Sequence, residues 1–328
     1  MTARSVRAPA AVYGPAMRIV ALCAVLACAS SPWRAPLHRD HPLTGKIWNG
    51  SAFVDEQALD TAVRAAHFVL LGETHDNPDH HALEARLVRV ATQGRKPAIV
   101  FEMLDVSQQP AIDAAARSSD ALAAAVDWAH SGWPDFSLYR PVFDAAFEAG
   151  LPIVAGNFTR AEMSAIVTGG PAKLPPQIAA LLQREGEPSP EVLAAERAEM
   201  QAEHCGYLPE TMLGPMALAQ RARDAQLAMR MAASQSGSIL IAGSGHVRTD
   251  RGVPVHLAVL APGRRAVSVA FLEVSPAMQA PEEYAAAFNV SKLPFDFAVF
   301  TPAAEREDPC KALEKRMKKK AGALARGG

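Results

Sequence analysis

The chain has few cysteines and few aromatic residues, and its apolar runs are too short to cross a membrane. Only four of its 328 residues are cysteine, and no two form a CxxC pair, which excludes a disulfide-rich scaffold and a cysteine-based zinc site. Aromatic residues make up 6% of the chain, and four of them are tyrosine. No internal repeat of solenoid period is present. A hydrophobic content of 49% is enough to bury a core, in one domain or two small ones.

Positive and negative charges nearly balance, but they are unevenly distributed. The formal net charge is -1, from 33 basic and 34 acidic residues. Residues 310–328 contain seven Lys or Arg and one acid, and residues 1–27 contain three Arg and no acid, so the stretch between them is acidic. An acidic body does not suit nucleic acid, whose phosphates require clustered cations. We therefore expect no nucleic-acid partner.

The N-terminal residues have the pattern of a bacterial export signal. Three arginines flank an apolar stretch, 19–27, that has the length of a signal-peptide core and is too short for a membrane span. The sequence Val-Leu-Ala-Cys28 resembles a lipobox, in which Cys28 becomes the acylated first residue of the mature protein. Several acyl chains would hold Cys28 stably in a membrane. Ordinary secretion, with cleavage at a nearby alanine, is the alternative.

These features predict a lipoprotein signal peptide over 1–27 and a Pro- and Ser-rich tether over 28–45. Ser30 and Ser31, rather than aspartate, stand shortly after Cys28. By analogy with bacterial lipoproteins, this predicts a lipid-anchored protein of the bacterial cell envelope, at the outer membrane. The folded domain is predicted over 46–302, and a basic C-terminal tail over 303–328.

Two copies of a GxxH pattern each follow an apolar run that is typical of a buried strand. Gly72-Glu-Thr-His75 follows residues 67–71, and Gly243-Ser-Gly-His246 follows residues 238–242. Continuous apolar runs separated by helical stretches predict an α/β fold with a mostly parallel sheet flanked by helices. Ligands of such sheets bind beyond the carboxyl ends of the strands. The repeated motif therefore predicts a site at that edge.

Two further apolar runs bring Glu102 and Asn157 to the same edge, because each run ends at one of these residues. In the first motif, Glu73 and His75 are two residues apart, so an extended backbone projects both to one side. A helix-capping Glu73 with satisfied rim histidines is the structural alternative. The repetition of the motif, with Glu102 between its two copies, favours a shared functional site.

The stretch 159–235 is predicted to be a helical cap inserted between two strands. Proline and glycine at 169–176 and 186–190 divide it into pieces. Its residues expected to face the rim are Met200, His204, Tyr207, Met212 and Met216, although a methionine stripe is more often core. Beyond the second motif, three apolar runs are predicted to add edge strands: 253–260, 266–274 and 296–300. Cys205 and Cys310 could form one bridge, or Cys205 could be a packed thiol.

Taken together, these motifs resemble the ChaN-like haem-binding uptake lipoproteins, which are related to the Tiki metalloproteases, TraB-type proteins and erythromycin esterases. The resemblance covers roughly residues 46–275. It implies an α/β core with a helical cap and a role in iron acquisition. It also implies haem held by a tyrosine at a dimer interface, and haem-uptake receptors as partners. The stretches that carry the resemblance are 72–81, Glu102, 132–141, Asn157, 204–213, 219–224 and 243–246.

The resemblance implies a tyrosine ligand but leaves two tyrosines open. Tyr139 lies in a family-like stretch and ranks first, whereas Tyr207 stands where many relatives are expected to have methionine. Residues expected to contact the porphyrin or its propionates are His80, His81, His204 and Arg140, with Asn157 also at the rim.

A metal-dependent hydrolase is the alternative function. Glu73, His75, Glu102 and His246 could bind a divalent metal that activates water, and zinc, manganese and cobalt all suit that donor set. The same residues could also act without metal, with His75 as a general base oriented by Glu73.

Overall fold

The computed structural model describes residue 2, residues 33–308 and residues 310–315 of the chain. Apart from residue 2, the predicted signal peptide over 1–27 lies outside these residues, as do Cys28 and the end of the basic tail. No helix of the described part is long and apolar enough to cross a membrane.

Within residues 33–308, eight strands form one sheet. The strands are β1 Ile47–Trp48, β2 Phe53–Val54, β3 Phe68–Glu73, β4 Ala98–Asp105, β5 Ile153–Asn157, β6 Ser238–Gly243, β7 Ala266–Glu273 and β8 Phe297–Thr301. Their order is β2-β1-β8-β7-β3-β6-β4-β5. The short β1 pairs antiparallel with β2 and β8. The other neighbours are parallel, so β3, β4, β5 and β6 end at one edge.

Helices cover both faces of this sheet. They are α1 Glu56–Ala65, α2 Pro78–Ala91, α3 Gln109–Ala114, α4 Ser119–Ala125, α5 Phe136–Glu148, α6 Arg160–Gly169, α7 Pro176–Glu185, α8 Pro190–Glu203, α9 Glu210–Ala232 and α10 Val253–Leu260. The core on one face includes α1, α2 and α5, and the core on the other includes α9 and α10. The mostly parallel α/β sheet predicted from the apolar runs is confirmed.

The helical insertion between β5 and β6 is also confirmed, and it has a core of its own. Apolar side chains of α6, α7 and the first half of α9 pack together there, among them Ile166, Ile178, Leu181 and Ala222. The second half of α9 belongs to the sheet core through Leu227 and Met231. This long helix therefore connects the cap to the sheet.

Two of the three predicted edge strands are interior strands, and one is a helix. Residues 253–260 form α10, whose start is marked by Pro254 after Gly252. The continuous apolar run gave no periodicity to separate a buried helix from a buried strand. The runs at 266–274 and 296–300 do form β7 and β8, but the edges of the sheet are β2 and β5.

The folded body extends beyond both predicted boundaries. In the segment predicted as a tether, the backbone N–H groups of Arg34 and Ala35 donate to the Asp79 carboxylate at 2.8 and 2.9 Å. Leu37 pairs with Ala303 by a β-bridge. These contacts use backbone groups, which composition alone does not reveal. A disulfide joins Cys205 to Cys310, which decides between the two alternatives left open for these cysteines.

Candidate functional site at the carboxyl edge of the sheet

Both GxxH glycines are needed where the two motif loops meet. A Cβ on Gly72 would lie 2.3 Å from Cγ2 of Val247, beside the second motif. A Cβ on Gly243 would lie 3.1 Å from Nε2 of His75. The glycines thus permit close approach of backbone and ligand groups at this edge.

Glu73 is the centre of one half of the site. Its Oε1 accepts a hydrogen bond from Nδ1 of His75 at 2.8 Å and from the Tyr139 hydroxyl at 2.9 Å. Its Oε2 lies 2.8 Å from Nδ1 of His81. Burial opposes ionisation of this carboxyl group, but His81 and His75 lower its pKa to about 2. Glu73 is therefore an ionised carboxylate that orients its neighbours.

His75 is the member of this half that reaches solvent. Its side chain is 33% exposed, and its ring packs edge-on against Trp133 with the centroids 4.9 Å apart. Burial would lower the pKa of His75, but the hydrogen bond to Glu73 and the charge of Glu102 raise it.

Glu102 and His246 form the other half. Nε2 of His246 lies 3.2 Å from Oε1 of Glu102, and Nδ1 lies 2.5 Å from Oδ1 of Asp224 on α9. Burial alone would lower the pKa of His246, but these two carboxylates raise it to about 10. Burial would raise the pKa of Glu102, yet His246, His75 and Arg223 hold it well below its ordinary value. The result is a buried imidazolium between two carboxylates.

The structure brings the two halves together. Nε2 of His75 lies 4.0 Å from Oε2 of Glu102, which also accepts the Gly243 N–H at 2.8 Å. Asn157 donates to the backbone carbonyl of Glu102 at 3.0 Å. The four residues expected at the strand ends therefore lie at one edge.

The four residues predicted as metal ligands do not form one compact ligand group. In the described residues, the group whose ligand atoms all lie within 4.8 Å of one another is Glu73, His81 and Glu84. Glu102 and His246 instead bind each other, Asp224 and backbone.

Tyr139 does not fit an axial haem ligand, contrary to its first rank from the sequence. Its side chain is fully buried, and its hydroxyl donates to Glu73. Burial raises the pKa of this phenol far above its ordinary value, and Glu73 adds to the effect. Arg140, next to it on α5, forms a salt bridge with Asp120 and packs over the Phe136 ring.

His80 and His81 are also buried, which does not fit the predicted contacts with a porphyrin. Nδ1 of His80 accepts the Thr74 N–H at 2.8 Å, and Nε2 lies 2.8 Å from Oγ1 of Thr301. Burial lowers the pKa of His80 to about 3, so it is a neutral structural residue. The Asn77 N-cap and Pro78 place both histidines in the first turn of α2, facing the core.

The turn between α8 and α9 lies at the surface of the cap. Tyr207 is 51% exposed there. Nδ1 of His204 donates to the Met200 carbonyl at 2.8 Å, which leaves Nε2 as the acceptor nitrogen. Cys205 and Gly206 both have positive φ, and the disulfide from Cys205 fixes this turn.

A cavity of about 480 Å³ extends from this turn toward the strand-end site. His204 and Met200 line it near the turn, and Gln220 and Asp224 line it near His246. Its other lining side chains include Met163, Met216, Arg160, Arg223 and Arg251.

Several residues of the site escaped the sequence analysis as site residues: Glu84, Trp133, Gln220 and Asp224. Gln220 and Asp224 are four residues apart on α9, so they share a helix face. This spacing of two polar residues on one helix face is the sequence signal that could have identified them as site residues.

Among the solved structures that this chain resembles, the first supports the fold. ChaN of Campylobacter jejuni, described as showing cofacial heme binding, is 18% identical with a TM-score of 0.59, and the match covers 77% of this chain and 95% of that one. The type III effector HopBA1 is 14% identical with a TM-score of 0.42, covering 74% and 93%. A Bacillus cereus protein is 13% identical with a TM-score of 0.33, covering 66% and 68%.

No curated protein has a significantly similar sequence. The family described as "Haem-binding uptake, Tiki superfamily, ChaN" matches residues 60–257, which is more than half of the chain and contains both GxxH motifs. The chain therefore belongs to the ChaN family of haem-binding uptake proteins in the Tiki superfamily.

Proposed function

We propose that this protein binds ferric haem through Tyr207, at the turn between α8 and α9. The single observation that supports this ligand most strongly is exposure. Of the three tyrosines within residues 33–315, Tyr139 and Tyr284 are buried, and Tyr207 is the one that presents its ring to solvent. A phenolate is a recognised axial ligand of haem iron.

The surroundings of the turn suit a porphyrin. Met200 and His204 lie seven and three residues before Tyr207 in the sequence, and both line the adjoining cavity, which offers apolar side chains for the macrocycle. Arg160 and Arg223 line the same cavity and can pair with propionates. The acceptor Nε2 of His204 is a second group able to contact the haem.

Haem bound at an exposed turn would have one face uncovered by its own chain. A second copy of the chain that brings its own haem to that face would exclude water from both haems. Cofacial heme binding is described for ChaN of Campylobacter jejuni, and two haems face to face would meet this requirement here. We therefore propose a homodimer that forms around a pair of haems.

The test is a haem titration of the purified chain with two matched substitutions. The wild type and Tyr139→Phe should give a Soret band with the high-spin charge-transfer feature of tyrosinate ligation, whereas Tyr207→Phe should lose that feature and bind haem at least tenfold more weakly, a loss of about 1.4 kcal/mol. An unchanged spectrum in Tyr207→Phe would refute Tyr207 as the ligand.

We also propose that Cys28 carries the acyl anchor and that the mature protein sits at the outer membrane, where it exchanges haem with uptake receptors. The support is the Arg-flanked apolar stretch and the lipobox-like sequence. Mass spectrometry of the membrane fraction should find a mature N-terminus at Cys28 with lipid mass. An unmodified N-terminus several residues later would refute the anchor.

A metal-independent hydrolase is a second candidate, favoured by the geometry of His75. Its Nδ1 is held by Glu73 and its ring is partly exposed, which is the arrangement of an oriented general base. If this function holds, His75→Gln should abolish ester hydrolysis in a substrate screen while haem binding stays intact. Equal turnover by wild type and variant would exclude it.

A further inference from the structure

We propose that Glu73, His81 and Glu84 bind a divalent transition-metal ion, at a buried site separate from the haem-binding turn. The three side chains come from β3 and the start of α2, and at most 2% of each residue is exposed. One ligand atom from each lies within 4.8 Å of the other two. One imidazole and two carboxylates are a donor set that suits zinc or manganese.

The orientation of His81 supports coordination through Nδ1. Its Nε2 lies 3.0 Å from the backbone carbonyl oxygen of His75. A carbonyl oxygen only accepts, so Nε2 carries the proton and donates it. Nδ1 then points at Glu73, 2.8 Å from Oε2, and at Glu84, 3.2 Å from Oε2. A backbone carbonyl that fixes the outer nitrogen is a common feature of metal-binding histidines.

Glu84 provides an independent observation. The residue is fully buried, and its Oε1 has no hydrogen-bond partner in the described part of the chain. Burying a carboxyl oxygen without a partner is costly, and a cation beside it would remove that cost. An unpaired acceptor is therefore available for coordination.

The remaining oxygen of Glu73 is held in place for this role. Tyr139 and His75 both bind Oε1, which leaves Oε2 directed toward His81. His81 and Glu84 are three residues apart on one face of α2. The ligands thus stand on a strand and a helix instead of a loop, which favours precise geometry.

Protons alone could also stabilise this cluster, with one on Nδ1 of His81 and one on Glu84. Coordination requires the unprotonated forms of both groups, so a metal ion would take the place of those protons. The experiment must therefore separate a metal site from a proton-sharing cluster.

The chain is unfolded in urea with its disulfide intact and refolded with chelator, with Zn²⁺ or with Mn²⁺. After removal of loose metal, we expect about one bound ion per chain by elemental analysis and a higher Tm than for the chelator-refolded protein. Glu84→Gln keeps the volume of the side chain and should lose the ion. Glu102→Gln changes the neighbouring cluster of Glu102, His75 and His246, and this variant should keep the bound ion.

Loss of the ion in Glu102→Gln with retention in Glu84→Gln would overturn this site in favour of the neighbouring group. Wild type that refolds with no bound metal and an unchanged Tm would overturn it in favour of the proton-sharing cluster. Co²⁺ is also added to the wild type during refolding, as a test that does not depend on the folding of Glu84→Gln. Visible bands of nitrogen and oxygen ligation are expected, and their absence would contradict the site. Tyr207→Phe should keep the metal, so this test is independent of haem binding.

Discussion

Single atoms decide the shape of the strand-end site, and Gly72 is the clearest case. A Cβ there would overlap Val247 and approach the backbone of Ser244 at 3.0 Å. We expect Gly72→Ala to lower the free energy of unfolding by about 1–3 kcal/mol, as overpacking in a dense core does. Urea denaturation measures this effect.

Gly245, in the second motif, provides the matched control. A Cβ at this position would meet nothing within 4 Å. Gly245→Ala should therefore change the free energy of unfolding by less than about 0.5 kcal/mol. Equal losses in the two variants would contradict the packing explanation.

The buried imidazolium of His246 predicts a dependence of stability on pH. Its folded pKa of about 10 exceeds the ordinary histidine value, so its contribution to stability is complete below about pH 6.5 and is lost as the pH rises toward 10. The free energy of unfolding should fall between pH 7 and pH 10. In metal-free His246→Gln the fall should be smaller, and the remainder should come from His81, whose pKa is also raised to about 10 against burial by Glu73 and Glu84.

The exposed His130 serves as the control for this prediction. It pairs with Asp127 at the surface, where solvent screens the interaction. His130→Gln should therefore keep the wild-type dependence on pH. A His246→Gln profile that also matches the wild type would show that the Glu102 and Asp224 pairing does not stabilise the fold.

The sequence was sufficient to predict that Glu73, His75, Glu102 and His246 share one edge, because parallel strands end together. It was not sufficient to predict their partners. Asp224 comes from a helix of the other layer, and Tyr139 points inward from α5. Which face of each helix meets the sheet depends on packing over long sequence distances. For the same reason, exposure could not be used to choose between Tyr139 and Tyr207.

At the scale of the elements, a single covalent bond holds the turn between α8 and α9 in place. The disulfide joins Cys205 to Cys310 across 105 residues of sequence. Replacing both cysteines with serine should reduce the free energy of unfolding by about 2–5 kcal/mol, since the unfolded chain gains conformational freedom. Urea denaturation with and without reductant measures this.

Reductant should lower the stability of the wild type to that of the double serine variant, and should leave the variant unchanged. If the bond also holds Tyr207 in place, the variant should bind haem more weakly. A wild type that is insensitive to reductant would show that the bond contributes nothing to stability.

Helices and strands differed in how well the sequence predicted them. The four runs that lead to polar residues were recognisable as strands because glycine or a helical stretch bounds them. Residues 253–260 were not recognisable as helix, because an apolar segment buried on several sides has no polar face to mark the period. The packed segments at 33–45 and 303–308 use backbone bonds and the Arg306 salt bridges, which leave no periodic pattern.

At the scale of the whole molecule, haem should change the oligomeric state. If a haem at Tyr207 is covered by a second chain, sedimentation velocity should show the mass rising toward that of a dimer as haem is added. Tyr207→Phe should stay at the mass of the haem-free protein. A haem-loaded wild type that sediments as a monomer would contradict the cofacial arrangement while leaving the tyrosine ligand open to its own test.

The pairing of β1 with β8 has a consequence for how the chain is made. Residues 47–48 pair early with β2, but their second partner lies at 298–299, and β3 binds β6 and β7, both of which come late in the sequence. A ribosome adds about 5–20 residues per second, so the early strands emerge many seconds before the strands that complete their hydrogen bonding. The sheet therefore closes only after residues 297–301 have been made. For the export proposed above, such delayed closure would leave the nascent chain unclosed while it is threaded across a membrane.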